Sequence, residues 1–143
     1  MIIVDTNVVA EVMKPSPAPA VVTWFNAQDS VSLFLTAITV GEIRYGLRIM
    51  PKGQRRHAIE RGFDQVIANA FAGRILAFDE HAATHYGEVM ARRKEIGRPL
   101  GVPDGQIAAI ARLHSFAIAT RNVRDFFECG IEIVNPFISP APA

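Results

Sequence analysis

Met1-Ile-Ile-Val-Asp-Thr-Asn7 sets an apolar run against a carboxylate and two small polar residues, and its reading decides the fold. A short buried strand that delivers one Asp to its carboxyl end is how open α/β sheets begin a site, because ligands bind outside the carboxyl ends of parallel strands. Downstream, strand-like and helix-like patterns alternate. Val8 to Met13 reads as a short helix stopped by Pro15, Pro17 and Pro19, and Ala20 to Ala27 as another. Val31 to Leu35 is a second strand, and Thr36 caps a helix running through Gly41-Glu42-Ile43 to Ile49. Within Gln54 to Phe71, Ile59, Phe63, Val66, Ile67, Ala70 and Phe71 recur at helical spacing, ended by Gly73. Ile75 to Phe78 is a third strand, and Asp79 caps a long helix, Glu80 to Ile96. The loop from Arg98 to Asp104 leads into an apolar helix, Gly105 to Leu113, followed by strands at Phe116 to Ala119 and Ile131 to Val134. Such alternation implies an α/β fold with a parallel sheet.

Bulk properties narrow the class. A 143-residue chain, half of it hydrophobic, suits one domain that buries roughly two thirds of its unfolded surface without a covalent staple. No internal repeat or domain boundary interrupts it, so residues 1–137 are expected to form the domain and 138–143 a disordered tail. The one cysteine, Cys129, cannot form an internal disulfide, and the start of the chain lacks a secretion-signal pattern. Apolar runs fall short of the ~18 residues of a membrane span. A reducing, cytoplasmic setting without membrane contact is therefore expected.

A net charge of +1 argues neither for nor against a nucleic-acid partner. Its distribution is more telling. Arg44, Arg48, Lys52, Arg55, Arg56 and Arg61 form one basic stretch, and Arg92, Arg93, Lys94 and Arg98 another. Such runs either follow a phosphate backbone or form solvated helix faces.

Acidic residues fall at the strand ends. Asp5 closes the first strand, Glu42 lies about two turns into the helix after the second, and Asp104 opens the helix leading to the fourth. Thr120, Arg121 and Asn122 stand just beyond that fourth strand, so all can share one crevice. Gathered carboxylates repel one another, and a hard divalent cation, Mg2+ or Mn2+, relieves this. Plainer roles are open too: Asp5 as an Asx-turn or cap, and Asp104 as an N-cap. His81 and His85 stand one helical turn apart, but no third zinc ligand accompanies them. Cys129 has no basic partner motif and reads as packing.

Four blocks together resemble the PIN-domain nucleases: Asp5-Thr6-Asn7; Thr39-Val40-Gly41-Glu42-Ile43-Arg44-Tyr45-Gly46; Pro103-Asp104-Gly105-Gln106-Ile107-Ala108-Ala109; and Ala119-Thr120-Arg121-Asn122-Val123-Arg124-Asp125-Phe126, with Asn135-Pro136 after them. The resemblance covers residues 1 to about 137 and is strongest to the VapC-type toxins of toxin–antitoxin pairs. It implies a PIN-like α/β/α sandwich with a short-stranded, mainly parallel central sheet. It further implies a Mg2+- or Mn2+-dependent endoribonuclease whose catalytic acids are Asp5, Glu42 and Asp104, with Asp5 and Asp104 holding the metal. The family often places a fourth acid where this chain has Asn122; Asp125 either completes the set or belongs to a structural turn.

Thr6, Asn7, Thr120 and Asn122 are then expected to orient the acids, and Arg44, Arg48 and Arg121 to contact RNA phosphates, with Glu42, Arg44 and Arg48 sharing one helix face. The resemblance also implies a small DNA-binding antitoxin whose carboxyl-terminal segment fills a groove, and a homodimer. Trp24, Phe25 and the helix from Gln54 offer apolar area for such contacts, with core packing as the alternative. Two other readings stay open: a PIN-like RNA-binding or interaction module with an inactive site, and a phosphotransferase of the haloacid dehalogenase kind. The latter usually carries a second Asp two residues after the first, where this chain has Asn7.

Overall fold

Ile2–Val4 (β1) carries no polar side chain on either face, a composition suited to a strand covered on both sides. The computed structural model describes residues 1–138, and it adds Leu33–Thr36 (β2), Ile75–Leu76 (β3), Ala117–Ala119 (β4) and Ile133–Val134 (β5). These make one five-stranded sheet of order β3-β2-β1-β4-β5. All four pairings are parallel, with Ile3 opposite Phe34 on one side and Ile118 on the other.

Alternation along the strands splits the core into two layers. Ile3 and Ile118 face one, where they meet Val89, Ile107 and Ile110; Val4, Leu33 and Leu35 face the other, with Val8, Val21 and Phe63. The first layer is roofed by Glu80–Glu95 (α5) and Val102–His114 (α6), the second by Thr6–Val12 (α1), Pro19–Ala27 (α2), Ala37–Ile49 (α3) and Gln54–Ala70 (α4). This is the expected α/β/α sandwich. Trp24 and Phe25 pack against the second layer, and Phe25 meets Phe71 edge-on at 6.4 Å between ring centroids, so both serve the core.

Element boundaries move where local signals compete. Thr36 caps α3 through Thr39 N–H, and Asp79 caps α5 through Ala82 N–H, both as the sequence predicts. The second strand begins later than expected, because Asp29 caps a 3-10 turn over Ser30–Ser32. Helix α6 begins at Val102 instead of Gly105: proline is tolerated in a first turn, and Gly101 becomes the N-cap. Asp104 is thus a first-turn residue with no capping duty. Of the tail expected at 138–143, residues 139–143 lie outside the described residues. Among the described residues no helix is long and apolar enough to cross a membrane.

Candidate active site

Parallel β1 and β4 end side by side, and the Asp5 N–H continues their ladder to the Ala119 carbonyl at 2.9 Å. Asp5 is thereby set beside Thr120, although 115 residues separate them. One carboxylate oxygen, Oδ1, caps α1 by accepting the Thr6 N–H at 2.8 Å. The other, Oδ2, accepts the Thr120 hydroxyl at 2.7 Å and the Asn7 amide at 3.2 Å. With two bonds Oδ2 is saturated, and Oδ1 keeps one lone pair for a ligand. The capping and site readings of Asp5 are both satisfied, by different atoms.

Asn7 and Thr120 hold this carboxylate as a unit. Thr120 Oγ1 accepts from Asn7 Nδ2 at 3.2 Å and from the Asn122 N–H at 3.0 Å, while Asn7 Oδ1 accepts the Arg121 N–H at 3.1 Å. Asn7, Thr120 and Asn122, three of the residues expected to orient the acids, are therefore hydrogen-bonded into one network with the Arg121 backbone. Thr6 joins from the other side, its hydroxyl 2.8 Å from Glu42 Oε1. Asp104 comes to the crevice from the first turn of α6. Its neighbour permits that approach: a Cβ on Gly105 would fall 2.5 Å from Met90 Sδ, so glycine lets α6 lie tight against α5.

Charge in the crevice is poorly compensated. Burial pushes the Asp5 carboxyl above its usual value, opposed by its bonds from Thr120 and Thr6 and reinforced by the negative charges of Glu42 and Asp125. Asp104 is pushed up to about 6, first by burial and then by Asp5, Asp125 and Glu42. Asp125 lies in a 3-10 turn, Val123–Phe126, so the structural-turn reading is right about its backbone, yet its charge acts on both site aspartates. Among the described residues no three Asp, Glu, His or Cys side chains converge closely enough to cage an ion, His81 and His85 included. The donors around Asp5 and Asp104 are oxygen-only and anionic, and the carboxyls of these two are raised first by burial and then by the neighbouring negative charge. That chemistry fits a hard divalent cation and not zinc.

The basic residues divide by partner. Arg121 reaches Glu11 Oε1 at 3.3 Å and stacks 3.8 Å above the Phe137 ring, so its guanidinium is held against the last turn of α1. Arg44 pairs with Asp64 of α4 at 2.7 Å and lies over Phe63, and Arg48 sits 3.6 Å from Glu60. Glu42 does not share their face, because residues two apart on a helix point roughly 200° apart; it turns to α1 while they turn to α4. Arg93 fits neither reading of the second basic cluster, phosphate contact or solvated face. It is 4% exposed, and its guanidinium donates to the carbonyls of Arg98, Arg124 and Phe127. Those bonds tie the loop before α6 to the turn that carries Asp125.

A groove of about 540 Å³ leads away from Thr6 and Glu42 between α1, α3 and α4. Ala10, Met13, Ile43, Leu47 and Ile59 give it an apolar floor, and Lys14 and Arg55 line it with positive charge.

A strand-end acid crevice on a parallel α/β/α sandwich defines the PIN class, whose family model, PIN domain, matches residues 2–129; the chain belongs to that family. It is 43% identical over 137 residues to the VapC ribonuclease Y4jK of Sinorhizobium fredii, covering 96% of this chain and 98% of the relative. To toxin FitB of Neisseria gonorrhoeae it is 37% identical over 137 residues, covering 96% and 99%. A solved structure of FitAB bound to an IR36 DNA fragment superposes with a TM-score of 0.92 at 36% identity, covering 99% of each chain.

Proposed function

We propose that this PIN domain, over residues 1–137, is a Mg2+- or Mn2+-dependent endoribonuclease and the toxin of a toxin–antitoxin pair. The observation that carries the reading is the uncompensated set of acids around Asp5 and Asp104, both with raised carboxyls. Similarity to a VapC ribonuclease over 96% of the chain supports the same conclusion. Asp5 and Asp104 would hold the cation, which lowers the pKa of water and neutralises charge building on the phosphate. Glu42 accepts the proton of the attacking water, and no covalent enzyme intermediate is needed. Thr120 and Asn7 fix the Asp5 carboxylate, and Thr6 fixes Glu42. Asn122 contributes through its backbone N–H to Thr120, and its side chain adds no charge.

Cleavage of a defined RNA with and without chelator tests this. Activity should vanish on chelation and return with Mg2+ or Mn2+. Undiminished cleavage under chelation removes the metal from the mechanism, and binding without cleavage under every metal condition establishes the inactive-module reading instead.

Arg121, Arg44 and Arg48 are the proposed phosphate contacts, with side chains 53%, 42% and 69% exposed. Replacing Arg44 and Arg48 together by Ala in an Asp5→Asn background should make the log-log salt dependence of RNA binding shallower by roughly 0.7 per lost contact. Stability should fall by about 1 kcal/mol or less per lost pair, since the partners Asp64 and Glu60 belong to exposed or partly exposed pairs. An unchanged salt slope returns both arginines to structural pairing with α4.

The apolar groove is the proposed seat of the antitoxin's carboxyl-terminal segment, and the FitAB complex on DNA supports a DNA-binding partner. Self-association as a homodimer is also proposed. Tyr45 and Ile49, one turn apart on α3, are 68% and 66% exposed and offer apolar area that Trp24 and Phe25 do not. A cytoplasmic site of action suits Cys129, a buried thiol that burial keeps protonated.

A further inference from the structure

Thr39 is the third residue of α3, in its first turn, and is completely buried. With no helical turn before it, its hydroxyl has no carbonyl of a preceding turn to bond. Here its hydroxyl lies 3.0 Å from Thr6 Oγ1 and 3.4 Å from Thr36 Oγ1 instead. Thr6 Oγ1 in turn lies 2.8 Å from Glu42 Oε1.

Counting protons gives this row a direction. Each hydroxyl has one proton to donate, and an ionised carboxylate has none. The proton between Thr6 and Glu42 therefore belongs to Thr6, which leaves Thr6 Oγ1 as the acceptor for Thr39. Thr36 is also completely buried, and its oxygen already accepts the Thr39 N–H at 3.1 Å. Its own proton must find a partner, and Thr39 Oγ1 is the one within reach.

We propose that Thr36, Thr39 and Thr6 form a one-way hydroxyl chain from the core to Glu42. It anchors Oε1 and leaves Oε2 as the oxygen available to the attacking water, so Thr39 is a positioning residue although it touches nothing that reacts. The chain rests on the reading of Glu42 as the acceptor of the water proton. Bonds in series polarise one another, so the last one, to Glu42, is strengthened by those behind it.

Thr39→Val removes the hydroxyl and keeps the shape. It should lower kcat roughly tenfold with KM unchanged, since a contact felt at the reacting end is weakened and substrate binding is not. Thr39→Ser should restore kcat. In a Thr6→Val background, Thr39→Val should cost nothing more, because the chain is already cut. In metal-free protein, NMR order of the Glu42 side chain should fall in Thr39→Val and recover in Thr39→Ser. Unchanged Glu42 order in Thr39→Val overturns the chain. Losses that add fully to those of Thr6→Val, or that are equal in the Ser and Val variants, overturn it as well and mark Thr39 as packing. Wild-type activity in Glu42→Gln would sink the role of Glu42 instead, and the order measurement would still judge the chain.

Discussion

Asp5→Asn and Asp104→Asn are each expected to reduce RNA cleavage at least about a thousandfold while the protein stays folded. Several kcal/mol of transition-state stabilisation depend on a cation that two aspartates would hold, and each ~1.4 kcal/mol is tenfold in rate. Folding survives because Asn also caps helices, so α1 keeps an N-cap at residue 5. Single-turnover cleavage of a defined RNA, with circular dichroism as the control, measures both halves. Retention of most activity by folded Asp5→Asn protein would discard the assignment of the crevice. Glu42→Gln should also be impaired severely, roughly a hundredfold, if a general base is what it supplies.

The same aspartates dictate a stability result of opposite sign. Asp104 has a carboxyl raised from 3.8 to about 6, so the folded protein binds its proton more tightly than the unfolded chain does. Its charge therefore destabilises the metal-free fold at neutral pH, and that penalty is relieved as pH falls from about 6 towards 4. Asp104→Asn should stabilise metal-free protein at pH 7 by about 1 to 2 kcal/mol, the shift taken at 1.4 kcal/mol per unit and reduced for solvent screening of a partly exposed group. Little capping energy is lost, since Gly101 is the N-cap of α6. The advantage should disappear near pH 4. Wild type alone should gain strongly from Mg2+ or Mn2+, about 2.7 kcal/mol at one hundred times the dissociation constant. Thermal denaturation of both proteins across pH and metal decides it, and destabilisation of the variant by more than about 2 kcal/mol would make Asp104 a structural residue.

What could be read in advance was whatever a short stretch of chain determines by itself. The apolar run ending at Asp5, the caps at Thr36 and Asp79, and the helical spacing from Gln54 are local signals, and the structure honours them. Strand lengths were less legible, because β3 and β5 are edge strands whose extent is set by pairing with a single neighbour, which no local pattern shows. The start of α6 was misplaced since Pro99 and Pro103 suggest a loop, whereas a proline in the first turn costs the helix no hydrogen bond. Asp125 and Arg93 mark a harder limit. Nothing local to Asp125 decides between completing the acid set and forming a turn, and Arg93 finds partners in backbone carbonyls, which every residue carries and no pattern advertises. Thr39 did leave a trace, a hydroxyl in the apolar stretch Ala37-Ile38-Thr39-Val40, but its direction depends on Thr6 across the fold.

The order of strands has a bearing on when the crevice can exist during synthesis. β1 occupies the middle of the sheet, yet its neighbour β4 is made more than a hundred residues later. Until Ala119 and Thr120 are available, Asp5 lacks both the strand that fixes its backbone and the hydroxyl that orients its carboxylate. Asp104 is likewise late, and the turn bearing Asp125 later still. A nascent chain therefore carries Asp5 through the synthesis of those hundred residues with nothing to assemble it against. For a nuclease born on a machine made of RNA, this topology postpones the assembled crevice until β4 has been made, and that is the moment from which a guardian must be at hand.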